Sequence, residues 1–461
     1  MGNLPSGFIS RAAGIVGGPF VFQDAAARET YGTDGTKHGS PADLVILPGS
    51  TREVAQLARL CNDERVPIVP RGAGTGYTGG AVPTRGGIVL SLERMNRILE
   101  IDQLNLLARV QPNVITGDLQ DAVERVGLFY PPDPASLRQS ALGGNVAECA
   151  GGPRAFKYGT TKRYVLALEA VLANGDIIHT GSKAVKNVVG YDLTQLLVGS
   201  EGTLAIITEI TLRLIPKPEA HATLLAEFAD IGHAVDAVTQ FIQRRVVPAA
   251  IELVDGRSLA ALAAYAGRPM ASSGAGAVLI VEVDGSHASV GPEILLVEDA
   301  CRAANASLLK RAASEAERDD LWQLRRELSP ALKKISTIKL NNDVVVPRGR
   351  IPELFALVND IAQESGLPIA SFGHAGDGNI HVNIMLPDED ARERGTRAVR
   401  RLFEGVVALE GSISGEHGIG FTKAPYLGLE LSGEEIALMK RLKAAFDPNG
   451  ILNPGKIFPD A

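Results

Sequence analysis

The stretch "GHAGDGNIHVNIM" (373–385) sets His374 and His381 seven positions apart, with Gly376-Asp377-Gly378 between them and Asn383 two residues further on. On an uninterrupted strand, residues seven apart face opposite ways and residues two apart share a face. His381 and Asn383 therefore point together, and His374 joins them only if the chain bends at the glycines. A second stretch, "SISGEHGIG" (412–420), holds Glu416 and His417 side by side, with Gly415, Gly418 and Gly420 permitting a turn that aims both inward. Two imidazoles, a carboxylate and an open position suit a catalytic divalent cation. The competing reading is a set of hydrogen-bonded core and loop histidines. Three of the chain's eight histidines lie between 374 and 417, which favours a site.

A third stretch, "LWQLRRELSPALKKISTIKLNNDVVVP" (321–347), adds cations. Arg325 and Ser329 are one helical turn apart and share a face. The planar guanidinium of Arg325 matches a carboxylate, and Lys339, opening the strand after the helix, could supply a second positive charge. Arg326, Lys333 and Lys334 read as a solvated helix face.

These residues need elements to position them. The chain has 461 residues, enough for about three domains. Hydrophobic residues make up 45% and charged residues 21%, as in an ordinary globular protein. A net charge of −7 offers no basic patch for nucleic acid. No apolar run reaches the roughly 18 residues of a membrane helix. Cys61, Cys149 and Cys301 are scattered, which excludes an iron–sulfur ligand set and a disulfide framework and fits a reducing cytoplasm. Residues 1–40 mix a short apolar stretch with a glycine-rich loop, "YGTDGTKHGSP". "ADLVILPGSTREVAQLARLCNDERVPIVPRG" reads as strand, helix, strand, with Ser50 and Glu53 forming a capping box. Short β runs dominate 85–215, with a hairpin at Asn174-Gly175-Asp176. "PKPEA" (216–220) marks a boundary. Residues 220–410 alternate helices and strands in an α+β pattern, and the tail "FDPNGILNPGKIF" returns to the body.

In "VPRGAGTGYTGGAVPTRGGIVLSLERM", Gly74, Gly76 and Gly79 spell G-x-G-x-x-G, and Glu93 falls near the spacing of an acidic ribose contact. A Rossmann site requires a helix opening at the last glycine. Only eight residues separate Gly79 from the strand "IVLSL", and they include Pro83, Gly86 and Gly87. No two-turn helix fits, so the Rossmann reading fails. A loop rich in bare backbone N–H groups remains, which suits a pyrophosphate or is a plain surface loop.

Four segments read together carry a resemblance. "PRGAGTGYTGGAVP", "YPPDPASLRQSALGGNVAECAGGPRAFKYGTT", "VKNVVGYDLTQLLVGSEGTLAIITEITLRLIPKP" and "FDPNGILNPGKIF" are similar, in order and wording, to the FAD-linked oxidase superfamily of the vanillyl-alcohol oxidase fold. The closest likeness is to its branch of D-lactate dehydrogenases, glycolate oxidase catalytic subunits and D-2-hydroxyglutarate dehydrogenases, from about Asp43 to the end. The resemblance implies an α+β FAD-binding domain over 1–219, an α+β substrate domain over 220–411, and a segment over 412–461 returning to the flavin. It implies that Arg71, Gly72, Ala73, Gly74, Thr75, Gly76, Thr78 and Gly79 wrap the FAD pyrophosphate. Pro132, Ser136, Gly143, Gly144, Asn145, Gly151 and Gly152 would line the cofactor, with Glu201, Gly202 and Ile207 by its ribityl-adenine half and Asn453 in the returning tail. Thr75 stands about where relatives with covalent flavin carry a histidine, which implies non-covalent FAD.

The same resemblance implies a metal on His374, His381 and Glu416, zinc first, with manganese and iron also suited. Asn383 and His417 would face the substrate, His417 as the base, and Arg325, Ser329 and Lys339 would hold its carboxylate. The activity implied is oxidation of a D-2-hydroxy acid to the 2-oxo acid. Electrons would leave to an iron–sulfur subunit, an electron-transferring flavoprotein, a cytochrome or a quinone. The protein would be cytoplasmic, reaching a membrane only through a partner, and a homodimer is compatible. The rivals are an oxidase of the same fold using oxygen directly, a metal-dependent hydrolase without a redox cofactor, and a non-catalytic nucleotide-binding module.

Overall fold

Buried apolar runs and amphipathic helices account for most of the elements. The computed structural model describes residues 4–35, 39–336 and 338–459. The chain divides into unit 1 (Met1–Gly151, Thr160–Lys217, Glu416–Ala461) and unit 2 (Gly152–Gly159, Pro218–Gly415).

Unit 1 has two main sheets. In the first, β1 (Val21–Phe22), β2 (Leu44–Ile46), β3 (Ile68–Arg71) and β4 (Ile88–Ser91) run in the order β1-β2-β4-β3. β4 lies parallel to β2 and β3. Such strands are buried on both faces, hence the unbroken apolar "LVI" and "IVL". The helix Thr51–Glu64 turns Val54, Leu57, Ala58 and Cys61 into a core with Phe8, Leu44, Ile46, Ile88 and Leu90, and Ile451 and Leu452 of the tail complete it. Ser50 caps that helix by accepting the Glu53 N–H. Only half of the expected capping box forms, because the Glu53 carboxylate takes the N–H of Gly49.

In the second sheet β5 (Ile98–Asp102), β6 (Leu107–Val110), β8 (Val165–Val171), β9 (Ile177–Gly181) and β10 (Ile206–Arg213) run antiparallel in the order β5-β6-β10-β8-β9. β7 (Leu128–Phe129) pairs with β11 (Ile215–Pro216). The hairpin at Asn174-Gly175-Asp176 joins β8 to β9 as its sequence predicts. The residues before the glycine-rich tract hold two helices that the sequence reading did not assign. Helices span Phe8–Val16 and Ala25–Tyr31, the second capped by Asp24, and positions 36–38 of the glycine-rich tract lie outside the described residues.

Unit 2 is one antiparallel sheet: β12 (Ala220–Phe228), β13 (Ala250–Asp255), β14 (Ala277–Gly285), β15 (Leu308–Arg311), β16 (Ile338–Val345), β17 (Ile369–His374) and β18 (Asn379–Leu386), in the order β15-β12-β14-β13-β17-β18-β16. On one face the helices Gly256–Ala266 and Glu315–Ile335 bury Leu259, Leu262, Leu321, Leu324, Leu328 and Leu332 against Val254, Val278, Ile280, Phe372 and Met385. That face also carries His374, His381 and Asn383.

Candidate active site

Strand register decides what shares the face. Directly opposed residues of an antiparallel pair point the same way. β17 and β18 pair Phe372 with His381 and His374 with Asn379, so the hairpin returns His374 to the face of His381 and Asn383. β13 adds Glu252, opposite His374. β16 adds Lys339, Asn341 and Asp343, the last two opposite Asn383 and His381.

The bend predicted at Gly376-Asp377-Gly378 is the turn of that hairpin, and two of its glycines are required. Gly378 has φ +85°, and a Cβ there would lie 1.9 Å from the Val346 carbonyl oxygen. A Cβ on Gly376 would lie 2.6 Å from the ring of Phe156. Phe156 belongs to the short segment 152–159, fastened within unit 2 by the Tyr158 hydroxyl donating to Asp284 (2.8 Å) and by the Lys157–Asp284 ion pair. Gly152 opens this segment.

His374 and His381 are both buried, their rings edge to face at 5.5 Å between centroids. His374 Nδ1 bonds Oε1 of Glu252, which directs Nε2 away from that carboxylate. Oε2 of Glu252 accepts from Arg325 Nε, and the Arg325 guanidinium lies over Phe372, 4.7 Å from the ring centre. Glu252 is wholly buried. Burial alone would raise its carboxyl, but the charges and hydrogen bonds of His374 and Arg325 outweigh that and hold it well below the usual carboxylate range. Asp343, also buried, accepts from Asn379 (2.6 Å) and from the backbone N–H of Gly415 (2.9 Å), and lies 3.9 Å from His381 Nδ1. The backbone one residue before Glu416 is thus pinned to β16.

Arg325 and Ser329 share a face of the helix Glu315–Ile335 as predicted, and Ser329 Oγ accepts from Lys339 Nζ at 3.2 Å. Burial, with Lys333 nearby, pushes the Lys339 ammonium down to about 8. Asn383 lies on the face of His381, as the strand spacing predicts. It is fully buried, its amide nitrogen donates to the Ala370 and His381 carbonyls, and its oxygen accepts from Asn341. The oxygen of Asn341 is the one left buried without a hydrogen-bond partner. Asn341 was not singled out in the sequence.

In unit 1 the loop after β3 reaches β4 without a helix. Glu93, the apparent ribose contact, instead accepts from Tyr31 (2.8 Å) and Ser91 (3.2 Å). The loop from Arg71 to Gly79 is braced throughout. Arg71 donates to the Thr33 carbonyl (2.5 Å), Gly35 N–H to the Gly76 carbonyl (3.0 Å), and Gly79 N–H to Asp34 (2.8 Å). A Cβ added at Gly76 or at Gly144 would meet nothing within 4 Å. Bare backbone facing open space at both glycines fits the cradle of a pyrophosphate-bearing cofactor. Ala73, Thr75 and Gly72 lie in the same loop. Asn145 is held by donating to Thr116 (2.6 Å), and Gln120 donates to the Pro132 carbonyl (2.9 Å). Ser136 turns the chain by accepting, through its carbonyl, from Gln139 and Ser140. Gly143 lies tight against Pro112, Gly202 faces Pro70, and Ile207 is buried in β10.

Glu416 and His417 lie in unit 1. The Glu416 carboxylate sits against Gly151, where a Cβ would approach it to 2.8 Å. The His417 ring stacks on Tyr77 (5.2 Å, 26°), and its carbonyl accepts from Thr78 at 2.9 Å. Glu201 is buried, and its carboxylate accepts the N–H groups of Ile419 and Gly420, both at 2.7 Å. Its side chain holds the turn that carries His417. Asn453 donates to the carbonyls of Gly80 (2.9 Å) and Glu201 (2.7 Å), tying the tail to both.

Unit 1 holds a braced glycine cradle, and unit 2 a face with two buried imidazoles beside Arg325 and Lys339, features that suit a flavin-dependent oxidoreductase. Residues 42–181 match the FAD binding domain model and residues 217–457 match that of FAD linked oxidases, C-terminal domain. The chain belongs to the FAD-linked oxidase family. It is 46% identical over 447 residues to glycolate oxidase subunit GlcD of Bacillus subtilis (96% of this chain, 95% of the relative). It is 36% identical to D-lactate dehydrogenase of Anaerostipes hadrus (90% and 89%) and 35% identical to D-2-hydroxyglutarate dehydrogenase of Stutzerimonas stutzeri (95% and 96%). Among solved structures, p-cresol methylhydroxylase superposes with a TM-score of 0.83 at 18% identity, covering 99% of this chain and 98% of that one. The fold is the vanillyl-alcohol oxidase type that the sequence implied.

Proposed function

We propose that this chain is an FAD-dependent dehydrogenase that oxidises a D-2-hydroxy acid to the 2-oxo acid with help from a divalent metal. The observation that carries the reading is the single sheet face of unit 2, where two buried imidazoles share a surface with Arg325 and Lys339. Cations matched to a carboxylate beside nitrogen ligands suit a molecule bearing a carboxylate and an adjacent hydroxyl. The donor set suits a metal: Nε2 of His374 points away from Glu252 and His381 is its buried neighbour, and Glu416 would be the third ligand.

When bound, FAD would accept the α-hydrogen as hydride, and the metal would acidify the substrate hydroxyl. Arg325, its Nε on Glu252, offers its two terminal nitrogens to the carboxylate, and Lys339 adds a second charge. His417 takes the hydroxyl proton, its ring held by Tyr77 and its backbone by Thr78. The flavin is held without a covalent bond, a reading supported by Thr75, which stands about where relatives with covalent flavin often carry a histidine. Three scattered cysteines make no cluster, so the electrons pass to a partner: an iron–sulfur subunit, an electron-transferring flavoprotein, a cytochrome or a quinone. The setting is cytoplasmic.

Anaerobic mixing with matched D- and L-2-hydroxy acids, followed by an artificial acceptor, tests this. One or more D acids should bleach the flavin and reduce the dye. Bleaching by L acids alone removes the stereochemical assignment, and bleaching by none removes the substrate class. Oxygen uptake equal to substrate consumed would mark an oxidase instead.

A further inference from the structure

Glu252 costs the fold a fully buried carboxylate, and a buried charge persists only when both oxygens are well satisfied. Its two oxygens serve two different residues: His374 at the end of β17 and Arg325 on the overlying helix. The bond to Nδ1 fixes the His374 tautomer and leaves Nε2 as the ligand atom. The bond to Nε orients the guanidinium, with Phe372 beneath it, so that the two terminal nitrogens point onward as a fork. Carboxylates behind metal-bound imidazoles act in this way.

We infer that Glu252 is a positioning residue that couples metal binding to recognition of the substrate's carboxylate, through one side chain bonded to both His374 and Arg325. The inference rests on the metal reading of the preceding section.

The same sheet face contains its control. Glu282 on β14 is also buried and also pairs with an arginine of the same helix. It accepts from Arg318 (2.7 and 3.0 Å), Trp322 (2.8 Å) and Thr223 (2.8 Å), none of which belongs to the site. If burying a carboxylate beneath this helix served the fold alone, the two would behave alike.

The test uses the FAD-loaded full chain with Glu252→Gln, Glu252→Asp and Glu282→Gln. Zinc affinity is read by competition with a chromogenic chelator, apart from turnover. KM and kcat are then measured at saturating zinc, and the melting midpoint alongside. Glu252→Gln should weaken zinc binding by about 10- to 100-fold and raise KM more than it lowers kcat, with FAD content unchanged. Glu252→Asp, still anionic but one methylene short, should move the same quantities in the same direction, and it carries the test if the glutamine variant fails to fold. Glu282→Gln should lower the melting midpoint while leaving zinc affinity and KM alone. A wild type that binds no zinc overturns the metal reading and the coupling together. A wild type that binds zinc, with Glu252 variants of unchanged affinity or unchanged KM, overturns the coupling alone.

Discussion

Lys339 is a cation that has lost most of its water, and its pH behaviour follows from that. With its ammonium pushed down to about 8, first by burial and then by Lys333, it is protonated below that pH and neutral above it. Only the protonated form attracts a carboxylate, so KM for the hydroxy acid should rise as pH climbs through about 8. Lys339→Gln should show the raised KM already at pH 7, no such rise, and a KM that the wild type approaches above about pH 8. A wild-type KM flat from pH 7 to 9.5 would remove Lys339 from carboxylate binding. For His417, loss of a general base costs on the order of 10²–10⁴ in rate. His417→Ala should slow flavin reduction by that factor with FAD and metal content intact, whereas His374→Ala should lose metal. The reverse pattern would exchange the two roles. The shared face of His374, His381 and Asn383 was legible because strand spacing and the glycine bend between them dictate it. Glu252 was not, because its partner His374 lies 122 positions away and only sheet register joins them. A faint signal existed: a lone acid in the apolar run "AAIELV" is a buried charge that needs a partner. No spacing rule says which partner.

Among elements, the turn bearing His417 is held by a residue from another segment. Glu201, with φ +52°, reaches the N–H groups of Ile419 and Gly420. Glu201→Ala would leave both donors unpaired, at about 1–3 kcal/mol each when buried. The melting midpoint should drop, and hydrogen exchange across 417–421 should speed up, with flavin reduction slowed in step. Unchanged exchange there would show that the turn holds itself. Regular elements were readable wherever period and cap agreed, as in the 369–386 hairpin and the helix begun at Ser50. The helices Phe8–Val16 and Ala25–Tyr31 were missed because glycines and mixed polarity mask their stripes. The place of 152–159 was missed because its ties, through Phe156 and Tyr158, are to residues more than a hundred positions away.

At the scale of the molecule, FAD bound as proposed, on a cradle of backbone and short side chains in unit 1, needs no covalent bond. Acid precipitation should therefore leave a colourless pellet and a yellow supernatant, and flavin retained in the pellet would place a covalent bond somewhere in the chain. The α+β pattern and the approximate division of the chain were visible in its composition and punctuation. The crossing between units at 217–218 falls within the boundary punctuation "PKPEA" (216–220), whereas the excursion of 152–159 into unit 2 carried no local signal. One of the bonds inside unit 1 has a further meaning for how the protein is made. The Ile68 N–H on β3 donates to the carbonyl of Ile451, and Ile451 and Leu452 fill the same core as Phe8 and Leu44. A ribosome adding 5–20 residues per second would deliver that partner roughly 20 to 80 s after Ile68 itself. The first unit to be started is the last to be finished. Until the tail emerges, the nascent chain must carry an open apolar seam beside β3, and chaperones have that interval in which to cover it.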